Sequence, residues 1–316
     1  NIEISRFENG FILSDRSNIT INGLTLEFFN GSAIYGYNEN DQKSFGNTIR
    51  NTKLYYANYG ILLMQNVGED PKNITSHFVL ENSEIAQMDT NAVKTTFTWK
   101  NESEAASFRF AGITDTEIRG NELHDLGFRS DSDNANGVSI LYADRLRFEG
   151  NHIHDVAHNG VQISYSVMQS PNEYAVPAEE IKTGGILIHD NLFEKACEMT
   201  SDCAGLKFWG DTPDMHVYRD VLITGNVFRD TFGWSSISEV RHRWEGGAGS
   251  TVKGLGGFGL YIDMASGFHV YRNIAYNNAF AGFYAGGVWR DGEMIFFNNI
   301  SANSLYGFFM SGLEMD

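Results

Sequence analysis

One asparagine returns again and again in the same local setting, and this repeat constrains the fold more than any other feature of the chain. The pattern is apolar–x–(Gly/Asn)–Asn–x–apolar, with some drift at the third place. It reads Ile118-Arg119-Gly120-Asn121-Glu122-Leu123, then Phe148-Glu149-Gly150-Asn151-His152-Ile153. It continues as Ile188-His189-Asp190-Asn191, Ile223-Thr224-Gly225-Asn226, Val270-Tyr271-Arg272-Asn273 and Phe296-Phe297-Asn298-Asn299, with looser copies at Asn22, Asn51 and Asn82. Self-similarity of this kind marks a solenoid, whose successive coils place equivalent side chains in columns.

The register supports that reading. Gly137 and Gly160 lie 23 positions apart and enclose three short apolar runs. The step from strand opening to ladder asparagine is 14 for Ser107→Asn121, Gly137→Asn151 and Gly259→Asn273. The step from asparagine to the next opening is 9 for Asn51→Gly60, Asn151→Gly160 and Asn273→Gly282. Three strands per turn of about 22–30 residues, each pairing with its copy about 4.8 Å away, predict an all-β, right-handed parallel β-helix. The asparagine is expected to bond backbone groups of neighbouring coils and to tolerate left-handed backbone.

The repeat runs from about residue 18 onward without a Pro- or Ser-rich linker, so residues 1–316 read as one β-helix domain. An uncapped solenoid exposes sheet edges, so a flanking segment, a further domain or self-association through the ends is expected. Apolar runs of four to six residues between Asn, Gly and Asp suit strands, and none approaches the roughly eighteen residues of a membrane span. The formal charge of −17 argues against nucleic acid and anionic membranes as partners. It suits a secreted or cell-surface protein. Cys197 and Cys203 share one loop, where either a disulfide or two free thiols would fit.

Alternation in the first strand of each coil sorts its side chains. Val138/Ile140, Val161/Ile163, Leu206/Phe208, Leu260/Ile262, Phe283/Ala285 and Phe308/Met310 should face inward. Arg109, Ser139, Gln162, Lys207, Tyr261, Tyr284 and Phe309 form one outward column. Ala111, Leu141, Ser164, Trp209, Asp263, Gly286 and Ser311 form the next. Interruptions near 91–106, 126–136, 166–184 and 230–258 should wall a groove on this face. The largest carries Glu239, Arg241, His242 and Trp244, charged and aromatic groups that suit a sugar.

Three segments stand in order in the C-terminal half. They are Gly205-Leu206-Lys207-Phe208-Trp209-Gly210-Asp211, Gly259-Leu260-Tyr261-Ile262-Asp263-Met264-Ala265-Ser266-Gly267 and Gly286-Gly287-Val288-Trp289-Arg290-Asp291. They resemble the pectin-lyase-like β-helix glycosidases of bacteria, the α-L-fucosidase and xylanase type. The resemblance implies a carbohydrate-active enzyme with Asp carboxylates in its cleft. This chain has Met264 where those enzymes often carry a second Asp.

Glycoside hydrolysis needs two carboxylates. Asp263 is the first candidate, Asp211 the favoured partner, and Glu239 and Asp291 stand behind it. Lys207, Trp209, Tyr261, Tyr284, Arg241, His242, Trp244 and Arg290 are the candidate contacts to a polysaccharide or oligosaccharide. Ser236→Gly259 again spans 23 residues, so 236–258 reads either as a coil separating the strands of Lys207 and Asp263 or as a loop. A polysaccharide lyase or uronate epimerase is the alternative enzyme, with Lys207, Arg109, Tyr261, Arg241 or His242 as base. A non-catalytic glycan-binding, adhesive or structural role is the other alternative. No metal or cofactor is expected: Asp131–Gly137 imitates a Ca²⁺ loop loosely, with Ala135 at a ligand position, and reads as a turn. His124 and His154 should stack on neighbouring coils beside the column Asp125, Asp155, Lys195, Asp230, Asn277, Asn303. That arrangement reads as a ladder of charges and amides in preference to a zinc site.

Overall fold

The computed structural model describes residues 6–38, 44–66, 75–98, 113–129, 135–141, 143–164, 184–200, 202–210, 217–233, 257–286 and 293–311. They form a right-handed parallel β-helix. Its strands fall into three stacks, and every pairing between the described strands is parallel. A groove stack runs through Asn91–Thr98, Val138–Ile140, Val161–Ser164, Ala204–Trp209, Phe258–Asp263, Ala281–Gly286 and Tyr306–Ser311. A back stack contains Ile113–Arg119, Ala143–Glu149, Leu187–His189, Val217–Thr224, Ser266–Tyr271 and Met294–Phe297. A side stack contains Glu84–Met88, Glu122–Leu126, His152–Val156, Leu192–Glu194, Val227–Arg229, Ile274–Tyr276 and Ile300–Ala302. Two long strands, Thr25–Asn38 and Lys53–Asn66, join the side and groove stacks at one end.

Alternation explains the core. Val138, Ile140, Val161, Ile163, Leu206, Phe208, Leu260, Ile262, Phe283 and Ala285 are all buried in one continuous cluster, as their spacing predicts. Phe308 and Met310 continue these columns on the last described coil but are about half exposed.

The asparagine ladder is a hydrogen-bonded column. Each amide oxygen accepts from the main-chain N–H and the side-chain amide of the preceding ladder asparagine, as from Asn121 to Asn151 and from Asn151 to Asn191. Each side-chain amide also donates to a main-chain carbonyl one coil earlier, as Asn151 does to Ile118 at 2.8 Å. The column continues through Asn226, Asn273 and Asn299. Its steps are 30, 40, 35, 47 and 26 residues, longer than the bare 23-residue turn because loops are inserted between strands.

Two expectations about the corner are corrected. Asn51 and Asn82 do not join the ladder; Thr52 and Ser83 hold those places, with Thr52 N–H donating to Ser83 Oγ and Ser83 N–H to Asn121 Oδ1. Asn22 likewise stands outside it, exposed and accepting from Asn51. The left-handed backbone belongs to the residue before the ladder position: Asn51, Asn82, Gly120, Gly150, Asp190, Gly225, Arg272 and Asn298 all have positive φ. The ladder asparagine itself stays in ordinary conformation so that its side chain can lie along the stack.

One expectation about the groove stack also changes, and one open alternative is decided. Asn91–Thr98, inside a stretch read as loop, is a strand that pairs with Val138–Ile140, so Lys94 holds the place given to Arg109. Ala204–Trp209 pairs directly with Phe258–Asp263. No rung therefore separates Lys207 from Asp263, which rules out the reading of 236–258 as an intervening coil.

Cys197 and Cys203 are bonded to each other and fully buried, stapling the connection that leads into Ala204–Trp209. His124 and His154 stack with parallel rings 4.8 Å apart. The neighbouring column is a ladder of charges and amides: Lys195 pairs with Asp155 at 3.1 Å, Asn277 donates to Asp230, and Asn303 donates to Asn277. Among the described residues no helix is long and apolar enough to cross a membrane.

Candidate active site

The register of two adjacent strands brings the predicted residues together. In Ala204–Trp209 and Phe258–Asp263, Leu206 and Phe208 pair with Leu260 and Ile262 in the core. Alternation then sends Lys207 and Tyr261 outward as one cross-strand pair and Trp209 and Asp263 as the next. Tyr284 and Gly286 follow on the neighbouring rung, then Phe309 and Ser311.

This outward face is recessed, not open. Lys207 and Tyr261 are each only 7% exposed, whereas Trp209 is 37% exposed. The reason is a second apolar cluster outside the core, in which Tyr261 packs with Phe258 and Phe280, flanked by Tyr284 and Phe309. Tyr261 is thus held as packing, while Trp209 keeps a ring surface that a sugar could reach. The Tyr284 hydroxyl leans over Gly286 to meet Ser311 Oγ at 2.7 Å, and a Cβ at Gly286 would collide with that hydroxyl.

Lys207 is the electrostatic centre. Its ammonium lies 4.4 Å from the centroid of the Tyr261 ring, a cation–π contact. It also lies 3.8 Å from Asp263 Oδ2 and 3.6 Å from Asp202 Oδ2, and donates to the Asp202 carbonyl at 3.3 Å. Burial raises the Asp263 carboxyl above the ordinary carboxylate value; the Lys207 charge opposes the rise and the Asp202 charge adds to it. The Tyr261 hydroxyl, bonded to Asp263, is pushed up from the usual phenol value, chiefly by burial and further by both carboxylates. Neither tyrosine is poised to ionise, because burial raises Tyr284 as well.

The structure thus assembles Lys207, Trp209, Tyr261, Asp263 and Tyr284. Asp211, Glu239, Asp291, Arg241, His242, Trp244 and Arg290 lie outside the described residues, as do Arg109 and most of the loose calcium-like run. Asp202 was missed by sequence reasoning. It sits between Cys197 and Cys203, in a connection whose only visible signal was its pair of cysteines. Lys94 was missed too, and its ammonium stands 5.4 Å from the Tyr59 ring centroid, a second lysine–tyrosine pair on the same face. Between them Gln162 is fixed by Asn159, which donates to it, and by Ser164, to which it donates.

No protein-family model matches the chain, and no curated protein sequence matches it. Solved structures do show a likeness. An alginate lyase from Paenibacillus sp. str. FPU-7 aligns with 13% identity and a TM-score of 0.47, over 93% of this chain and 89% of that one. The A-module of an Azotobacter vinelandii mannuronan C-5 epimerase aligns with 12% identity and a TM-score of 0.43, over 90% of this chain and 68% of that one. A mutant tailspike protein of E. coli bacteriophage HK620, in complex with a pentasaccharide, aligns with 11% identity and a TM-score of 0.45, over 92% of this chain and 45% of that one. At this distance the likeness carries no argument about activity, and the chemistry has to be read from the residues.

Proposed function

We propose that this chain is a secreted carbohydrate-active enzyme, a glycoside hydrolase in which Asp263 is the proton donor. The observation that carries the reading is the Asp263 carboxyl itself. It is largely buried, its pKa is raised by that burial, and it stands beside an accessible Trp209 on the same pair of strands. A carboxyl that holds its proton more tightly than an ordinary carboxylate can protonate a leaving glycosidic oxygen, while an exposed ring alongside stacks on the sugar. Among the described residues Asp202 is the carboxylate facing Asp263 across the Lys207 ammonium. It joins Asp211, Glu239 and Asp291 as a candidate for the second carboxylate, which acts as nucleophile or activates water. The disulfide and the acidic charge suit an oxidising, extracellular setting.

Among the described residues a lyase or epimerase finds less support. Either would need a free base and a group to neutralise a uronate. Lys207 is already engaged by two carboxylates and a carbonyl, and the two tyrosines hold their protons. The test is product analysis with the chain on a panel of neutral and uronate-containing glycans. New reducing ends without an unsaturated product, abolished in Asp263→Asn, support hydrolysis. Unsaturated or epimerised product overturns it in favour of the uronate chemistries, and binding without turnover on any glycan makes the protein a lectin.

A further inference from the structure

The side stack carries a second constellation, unrelated to the groove. His152 and His154 alternate on one strand and so share its outer face. Glu122 is the cross-strand partner of His152 on the preceding coil. One ligand atom from each of the three residues falls within 4.8 Å of the others.

Each imidazole is already held at one nitrogen by a carboxylate. His154 Nδ1 meets Asp155 Oδ2 at 2.5 Å, and His152 Nε2 meets Glu194 Oε2 at 3.3 Å. Glu194 is itself anchored by Arg229 at 2.7 Å. Carboxylates on the far nitrogen are the usual device that fixes the tautomer and aim of a metal-binding histidine. The remaining nitrogen of His154 is the telling atom. His154 Nε2 is sealed from solvent and makes no hydrogen bond, although Glu122 Oε1 stands 3.5 Å away. A buried nitrogen without a hydrogen bond is costly unless something else meets it.

We propose that Glu122, His152 and His154 form a divalent-cation site of the zinc type, linking two successive coils on the side of the solenoid. Two imidazole nitrogens and one carboxylate oxygen suit Zn²⁺, whereas Ca²⁺ and Mg²⁺ require mostly oxygen. Bond lengths of about 2.0–2.2 Å place tetrahedral ligands about 3.3–3.6 Å apart. The His154–Glu122 distance already meets that spacing, and the half-exposed Glu122 side chain, 54% open, has room to adjust toward His152. A water would complete the fourth position.

The test is calorimetric titration of the chelator-treated chain with Zn²⁺ alone, paired with visible spectroscopy of added Co²⁺. The proposal predicts one saturable equivalent of Zn²⁺ and the strong absorption of four-coordinate Co²⁺. Affinity should fall at least about tenfold in His154→Gln and in Glu122→Gln, the latter at an exposed position that leaves folding intact. His269→Gln, away from the cluster, should bind as the parent does. No saturable binding by the parent, or binding unchanged in Glu122→Gln, overturns the proposal.

Discussion

Replacing Asn191 by Ala removes four hydrogen bonds from the centre of the ladder. Asn191 Oδ1 accepts from the Asn151 main-chain N–H at 2.9 Å and from its amide at 3.0 Å. Asn191 Nδ2 donates to the Phe148 carbonyl and to Asn226 Oδ1, both at 2.9 Å. Asn226 Oδ1 keeps a second donor, the Asn191 main-chain N–H. The Asn151 N–H, one Asn151 amide proton and the Phe148 carbonyl lose this partner inside a corner closed to solvent. At about 1–3 kcal/mol for each buried group left unpaired, the expected loss is about 4 kcal/mol after partial relaxation. For a chain of 316 residues that lowers the apparent midpoint of thermal unfolding by about 6 °C. Scanning calorimetry on parent and variant measures it, with Asn22→Ala as a control, since Asn22 is exposed and off the ladder. An Asn191→Ala melt within a degree or so of the parent would show that the ladder does not hold the coils together.

Three further outcomes follow from the same geometry. Gly160→Ala should destabilise by about 1–3 kcal/mol in urea unfolding, because the new Cβ would lie 2.5 Å from the Gly205 main-chain oxygen on the next coil; an unchanged midpoint would refute the close approach. Lys53 and then Tyr55, by hydrogen bonding, hold Glu84 down to about 2 from the ordinary 4.5. A depressed carboxylate contributes stability that is present above the unfolded value and lost as pH falls through the folded one. Urea midpoints of the parent should therefore decline from about pH 4.5 toward pH 2 more steeply than those of Glu84→Gln, by less than about 1 kcal/mol because the Lys53 partner is exposed. In the groove, Lys207 favours the ionised form of Asp263, so Lys207→Met should raise that carboxyl further and move the alkaline limb of kcat/KM to higher pH. A limb that moves down would exclude Asp263 as the titrating acid.

Period and alternation were legible in the sequence because each coil must satisfy the same core and the same corner. That is why Val138, Leu206 and Leu260 were placed inward, and why Lys207, Trp209, Tyr261 and Asp263 came out on one face. Position by position the corner was less legible. Asn51 and Asn82 look like ladder asparagines, yet the side chain that bonds along the stack is that of the next residue, and Thr52 and Ser83 can do it with a hydroxyl. Equal spacing misled at Ser107→Asn121, since the strand that pairs with Val138–Ile140 is Asn91–Thr98. Insertions of variable length break the link between chain interval and rung number. For the same reason Asp202 was invisible: it reaches Lys207 from the disulfide-closed connection between stacks, and no column in the repeat contains it. The His154 nitrogen without a hydrogen bond was likewise beyond the sequence, which showed the histidine stack but not which atoms it leaves unbonded.

The central claim is that Asp263 donates a proton to the departing sugar, and leaving-group dependence tests it most directly. Once a cleaved glycan is known, Asp263→Gly can be compared with the parent on that glycan and on the matching glycoside of an acidic phenol, which departs without protonation. The prediction is a loss of about 10²–10⁴ in kcat/KM on the glycan and little loss on the activated glycoside. An equal loss on both, or no loss on either, would contradict the role assigned to Asp263.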